Sequence, residues 1–254
     1  FLEFNKDNEI LTFCVYRKGY LYDIVEGQPV YMAVMNDAAA RNVGSSAIKA
    51  GGDLGLNLTG AGLRLAIWDG PGGARNTHQE FGDRITPGSD FNDSGFSNHS
   101  THVTGSVMAG GTDAAAQGMA PEATAIVYDF NNDLNEITQE VNSNASTMIL
   151  STHSYGLVLG WNQAENGTWE WFGNENIDPN ENFLFGFYTN DARDMDDLMY
   201  DFPNYLAVWA AGNDRNDVGD GPQPPDGPYD TIDPSATFKN GVAVGAERTI
   251  NGEG

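Results

Sequence analysis

Residues 63–70 read LRLAIWDG, a short apolar run that closes on an aspartate and a glycine. The run has the length of a buried strand, and the Asp-Gly pair punctuates its end. Similar runs recur downstream: ATAIVYDF at 123–130, TMILST at 147–152, YLAVWAAG at 205–212 and GVAVGA at 241–246. Segments with helical patterning separate them, at 99–109, 134–145 and 191–202. Short apolar strands alternating with helices predict an α/β fold: a mostly parallel, twisted sheet with helices on both faces.

Upstream the pattern is different. EILTFCVYRKGYLYDIVEGQPVYMA (9–33) alternates like antiparallel strands, with turn signals at Lys18-Gly19 and at Glu26 to Pro29. Residues 1–35 therefore read as a small β-rich extension or the tail of a prosegment, and residues 36–254 as the α/β domain. A short helix is expected near Asn36 to Val43. The chain opens on Phe1 in mid-pattern and stops at Gly254 just after a strand-like segment, so both ends read as cut.

The 254 residues are 40% hydrophobic, with 13 Phe, 10 Tyr and 5 Trp, which is enough to bury a core. Twelve Lys and Arg face 36 Asp and Glu, for a net charge of −24. Such a surface repels nucleic acid and anionic membranes. It suits a hard cation such as calcium, and it keeps secreted or salt-adapted proteins soluble. Cys14 is the one cysteine, so no disulfide forms within the chain. No apolar run approaches the roughly 20 residues that span a bilayer.

In parallel α/β sheets, ligands meet the C-terminal ends of the strands. Asp69 ends the first strand of this domain, Ser154-Tyr155-Gly156 follows the third, and Gly212-Asn213-Asp214 ends the fourth. His99 opens the helix between the first two. A carboxylate, an imidazole and an amide donor are thus expected on one rim.

These segments resemble the subtilisin-like serine proteases, or subtilases, and in detailed wording the secreted subtilases of Bacteroidetes-type bacteria. LRLAIWDG followed by HQEF is similar to that family's aspartate segment, and NHSTHVTG to its His-Gly-Thr-His-Val-Ala-Gly helix start. GMAPEATAIVY, STHSYG, VWAAGND and DPSATFKNGVAVGA follow in family order across residues 63 to 246. The resemblance implies an N-terminal part of a peptidase domain that hydrolyses peptide bonds. Asp69 would orient and stabilise the histidine, His99 would act as general base and acid, and Asn213 would donate into an oxyanion hole. Ser154, Tyr155 and Gly156 would pair with the substrate backbone. Together with Ala210, Ala211 and Gly212, they would wall the pocket for the residue before the scissile bond. The chemistry requires no cofactor. Subtilases commonly bind structural calcium, for which no ligand set is legible here.

The sequence also departs from the family. Asp-Thr-Gly becomes Asp69-Gly70-Pro71, followed by Gly72-Gly73. Ser100 and Thr104 replace a glycine and an alanine. After Asn213 the chain has one serine, Ser235, in a segment that matches a different family loop. The nucleophile is therefore expected beyond residue 254, and the chain as it stands is expected to be a poor catalyst. The rival reading is a non-catalytic, subtilase-like module that binds peptides or calcium.

Other polar residues draw plainer expectations. His99 and His102 at i, i+3 lack the His-Glu-Xaa-Xaa-His arrangement of zinc proteases, and His102 is expected to pack. His78 is expected to pack or cap locally, and His153 to be structural or to line the cleft edge. The acids of DARDMDD (191–197) read as a solvated helix face. The whole is expected to be a secreted bacterial monomer acting on peptide or protein substrates.

Overall fold

The computed structural model describes the backbone of residues 2–4, 10–13, 20–25 and 28–32, and all atoms of residues 40–91, 95–144, 148–164 and 166–246. Near the N-terminus, β1 (Leu2–Phe4) pairs antiparallel with β2 (Ile10–Phe13), and β3 (Tyr20–Val25) with β4 (Gln28–Met32). A one-turn helix, α1 (Ser45–Ile48), follows. Of the helix expected near 36–43, residues 36–39 lie outside the described residues; residues 40–42 are helical.

The domain itself is a six-stranded sheet in the order β12-β11-β8-β5-β7-β6. Its strands are β5 (Arg64–Trp68), β6 (Ile85–Pro87), β7 (Thr124–Tyr128), β8 (Met148–His153), β11 (Leu206–Ala210) and β12 (Val242–Val244). All five neighbouring pairs are parallel. Three helices connect them: α2 (Asn98–Met108), α3 (Asp133–Asn144) and α4 (Asn190–Asp201). The expected α/β fold is the one observed. Sequence reading missed β6 and a small antiparallel hairpin, β9 (Trp161–Gln163) with β10 (Trp169–Trp171). All three strands are three residues long, too short for a periodic signal.

Side-chain alternation in β5 divides the interior in two. Leu65 and Ile67 enter a core with Val127, Phe81 and Met108 of α2. Ala66 and Trp68 enter the opposite core, with Ile137 and Val141 of α3 and Met195 and Met199 of α4. So α2 covers one face of the sheet, and α3 and α4 the other. From β5 the chain steps one way to β7, then returns to the other side of β5 at β8. That reversal leaves a crevice beyond the C-terminal ends of β5 and β8.

Strand register builds one further feature. Trp68 pairs with Tyr128 on one side and His153 on the other, and His153 pairs with Trp209. The four rings stack in sequence, with centroid separations of 4.6, 5.4 and 4.0 Å and interplanar angles of 3°, 13° and 8°. Two of the rings are tied to α3: Tyr128 donates to Glu140 and Trp68 Nε1 to Glu136.

Ile67 is fully buried at the centre of the α2-side core. Ile67→Ala should cost roughly 2–5 kcal/mol, because the flanking strands cannot close the void. Urea unfolding checks this; a loss below about 1 kcal/mol would show that the core repacks.

Candidate active site

Each ladder ring is followed at its strand end by a rim residue: Asp129 after Tyr128, Asp69 after Trp68, Ser154 after His153 and Ala210 after Trp209. Alternation turns Asp69 away from the ladder and towards α2. Asp69 Oδ1 lies 2.8 Å from His99 Nδ1. Asp69 is fully buried, while the His99 side chain remains 58% exposed. The second carboxylate oxygen, Oδ2, is buried with no hydrogen-bond partner. Burial lifts the Asp69 pKa above its ordinary value, and the hydrogen bond and charge of His99, together with the Gly70 N–H, pull it back.

Local sequence seats the histidine. Ser97 caps α2, its Oγ accepting from the Ser100 N–H at 3.0 Å. Ser97 also binds the loop after Asp69: its N–H donates to the Gly73 carbonyl at 2.9 Å and its hydroxyl to the Gly70 carbonyl at 3.2 Å. The loop comes this close because it is glycine. Gly72 has φ +94°, and a Cβ there would lie 1.7 Å from the Gly95 carbonyl oxygen. The Gly70-Pro71-Gly72-Gly73 departure thus lets the loop lie flat against the helix start.

His99 opens onto a cavity of about 370 Å³, lined by Ser154 to Val158, Asn162, Ala210, Gly212, Asn213 and the acids Asp214, Asp217 and Asp233. The structure brings together His99, Ser154, Tyr155, Gly156, Ala210, Gly212 and Asn213, with Asp69 directly behind His99. Ala211 is the exception. Its N–H donates to the Val244 carbonyl and its carbonyl accepts from the Asp233 N–H, and it lines a neighbouring groove of about 1300 Å³ at the ends of β11 and β12. Asn213 borders both spaces. Ser235 sits in a 3₁₀ turn with its N–H donating to Asp233, and it lines neither space.

Residues 53–252 match the profile of the subtilase family. The chain belongs to the subtilase family. Similar solved structures include a cold-adapted subtilisin-like serine proteinase, at 20% identity and a TM-score of 0.36, over 63% of this chain and 50% of that one. The serine protease of Aeromonas sobria in complex with its chaperone matches at 22% identity and 0.44, over 70% and 30%. The CspB protease of Clostridium perfringens matches at 17% and 0.43, over 68% and 40%. The chain spans half or less of the length of each. No curated protein matches it by sequence.

The subtilase domain corrects three sequence expectations. His102 is exposed and borders a second cavity with Arg75 and His78, because Val103 and Val107, not His102, turn inward from α2. Asp196 is buried, unlike the other acids of its helix face: it accepts from the Lys239 and Asn240 N–H groups and from the Tyr188 hydroxyl. Ala211 leaves the cleft for the backbone reason given above. His78 does cap locally, accepting from the Glu80 N–H at 3.4 Å. Among the described residues, no three His, Cys, Asp or Glu side chains are placed to hold a metal ion. Nor does any helix among them have the length and apolarity to cross a membrane.

Sequence reading also missed the acids that shape the cleft. Asp233 accepts from Leu157 N–H at 2.7 Å and Ser235 N–H at 2.8 Å, clamping the segment after Gly156. The Asp-Pro pair signals the cap on Ser235 but not the clamp, which spans 76 residues. Asp226 accepts from Trp161 N–H at 2.7 Å. Burial raises its pKa from 3.8 to about 6, against that hydrogen bond and with help from Asp214 and Asp217.

A carboxyl whose folded pKa is raised stabilises the fold when protonated, and that contribution fades as pH rises through about 6. Asp226→Asn keeps an acceptor and removes the titration. Its melting temperature relative to wild type should therefore rise between pH 4 and pH 7.5. A difference that is flat across that range would refute the assignment.

Proposed function

We propose that this subtilase domain is part of a serine endopeptidase that cleaves peptide bonds through an Asp-His-Ser triad. Asp69 and His99 supply two members, and Asn213 supplies the oxyanion donor. The carrying observation is the 2.8 Å Asp69–His99 contact, placed so that the exposed side of the imidazole faces the cleft. The bond to Asp69 holds the Nδ1–H tautomer, which leaves Nε2 free to take a proton. The unpartnered oxygen of Asp69 favours a cation beside it, and that preference is met when His99 becomes imidazolium. The carboxylate therefore stabilises the charge that develops in the reaction more than the ground state.

In this reading the serine is supplied by chain beyond residue 254, so residues 1–254 alone hydrolyse peptides poorly. The groove beside Asn213 offers the space for that segment. The exposed Asn213 amide, which has no side-chain partner among the described residues, is free to meet the developing oxyanion. We place in the same proposal a secreted, monomeric bacterial enzyme, with peptide or protein substrates and structural calcium.

The cleft also carries a preference. Asp214 and Asp217 line it, and burial raises the pKa of both. For Asp214 the neighbouring charges of Asp217 and Asp233 add to the rise. A lysine or arginine side chain before the scissile bond relieves that repulsion.

In the full-length gene product, Asp69→Asn should lower kcat by roughly four orders of magnitude with KM nearly unchanged. A fluorophosphonate should label a serine beyond residue 254 in the full-length protein and leave residues 1–254 unlabelled. Labelling at Ser235, or full activity in the Asp69 variant, would sink the triad assignment. Substrates with lysine or arginine before the cleaved bond should be preferred over leucine, and Asp214→Asn should reduce that ratio several-fold. An unaltered ratio would remove Asp214 from specificity.

A further inference from the structure

His153 is the polar member of the ring ladder. It is 1% exposed and lies between Trp68 and Trp209. Burial depresses its pKa to about 3, so it is neutral at working pH. A phenylalanine would stack there without that desolvation cost. What a phenylalanine cannot do is bond at both ring nitrogens. His153 Nε2 lies 2.8 Å from Ser151 Oγ, and Nδ1 lies 3.0 Å from the Tyr155 hydroxyl. Beyond these, Tyr205 lies 2.6 Å from Ser151, and Tyr155 donates to Asp133 at 2.7 Å.

Proton counting gives this chain a direction. The single hydroxyl proton of Tyr155 goes to Asp133, so Tyr155 accepts from His153, and Nδ1 carries the proton. Nε2 then accepts from Ser151, whose oxygen accepts from Tyr205. Every donor and acceptor is used once, from Tyr205 through Ser151, His153 and Tyr155 to Asp133.

The chain passes through Tyr155, the middle residue of the proposed substrate-pairing segment. Trp209 Nε1 donates to the Tyr155 carbonyl at 3.0 Å, so this residue is anchored inward by both its backbone and its side chain. Its neighbours Ser154 and Gly156 line the cleft. No backbone partner for them occurs among the described residues. In an extended segment, an inward-tied middle residue turns the groups on either side outward.

We infer that His153 is a positioning residue: by bridging Ser151 to Tyr155 inside the ring ladder, it holds Ser154 and Gly156 in register to receive a substrate strand. This rests on the peptidase reading above. It predicts that His153 matters in proportion to how much of the substrate lies along that segment, and does not touch the chemical step.

The test compares, in the full-length gene product, a tetrapeptide anilide that pairs its backbone along residues 154–156 with a single-residue ester that fills only the pocket beside the scissile bond and forms no strand pairing. His153→Phe keeps the stack and cuts both hydrogen bonds. It should raise KM for the tetrapeptide about tenfold, with kcat within twofold and the ester unaffected. His153→Gln, which restores a donor and an acceptor, should recover part of that loss. Tyr155→Phe, which removes only the hydroxyl, should reproduce the rise in KM. ¹⁵N NMR of the wild type should show the proton on Nδ1 and no protonation down to pH 4. Equal loss on both substrates, no change in either, or a proton on Nε2 overturns the inference. A wild type that cleaves neither substrate instead overturns the peptidase reading on which it stands.

Discussion

The register of four parallel strands is the constraint on which the site depends. Parallel neighbours lie about 4.8 Å apart, close to the ideal separation of stacked rings. Pairing Tyr128, Trp68, His153 and Trp209 side by side therefore converts strand register into ring stacking. A slip of one residue would break all three stacks and send every side chain to the other face. The residues immediately after the rings inherit this precision. Asp69, Ser154 and Ala210 emerge at the same height, and Asp69 on the face where α2 begins. The geometry of the Asp69–His99 pair is thus set one residue earlier, by packing on the opposite face of the sheet.

What the ladder does for Asp69, the loop from Gly70 to Gly73 does for His99. The helix start is held by two hydrogen bonds from Ser97 to that loop, and the approach depends on the absence of a side chain at Gly72. Strand end and helix start are thereby one rigid corner. This corner holds a carboxylate that is fully buried and half unpartnered, an arrangement that costs stability. That cost is borne at the corner itself, beside the imidazole that faces the cleft.

Much of this was legible in the sequence, and what was not has identifiable causes. The four long strands, β5, β7, β8 and β11, and three helices announce themselves because both faces of the sheet are covered there, which makes those strands near-continuous apolar runs; β12 was legible only through the longer run GVAVGA around it. Asp69, His99 and Asn213 are legible because each sits at a strand or helix terminus, where motif and topology coincide. Three-residue strands such as β6 and β9 have no period to read. Asp196 and Asp233 are missed for another reason: their partners are backbone N–H groups 43 to 76 residues away, and no local pattern encodes a long-range acceptor. His102 misled because its neighbours Val103 and Val107 pack inward, partly buried against the core. On a helix adjacent residues do not share a face.

The acids around the cleft divide by what they bind. Asp226 and Asp233 spend oxygens on the N–H groups of Trp161, Leu157 and Ser235, so their charge is partly compensated by the backbone they hold. Asp214 accepts a long contact, 3.3 Å, from the Asn213 N–H, and among the described residues no other residue donates to the Asp217 carboxylate. In a chain of net charge −24, mutual repulsion is general. Here it is concentrated in a concave space beside His99, where low-dielectric walls strengthen it. The structural acids build the wall of the cleft, and the uncompensated ones leave its interior in need of a cation. Under the peptidase proposal, a basic side chain on the substrate would supply that cation beside His99.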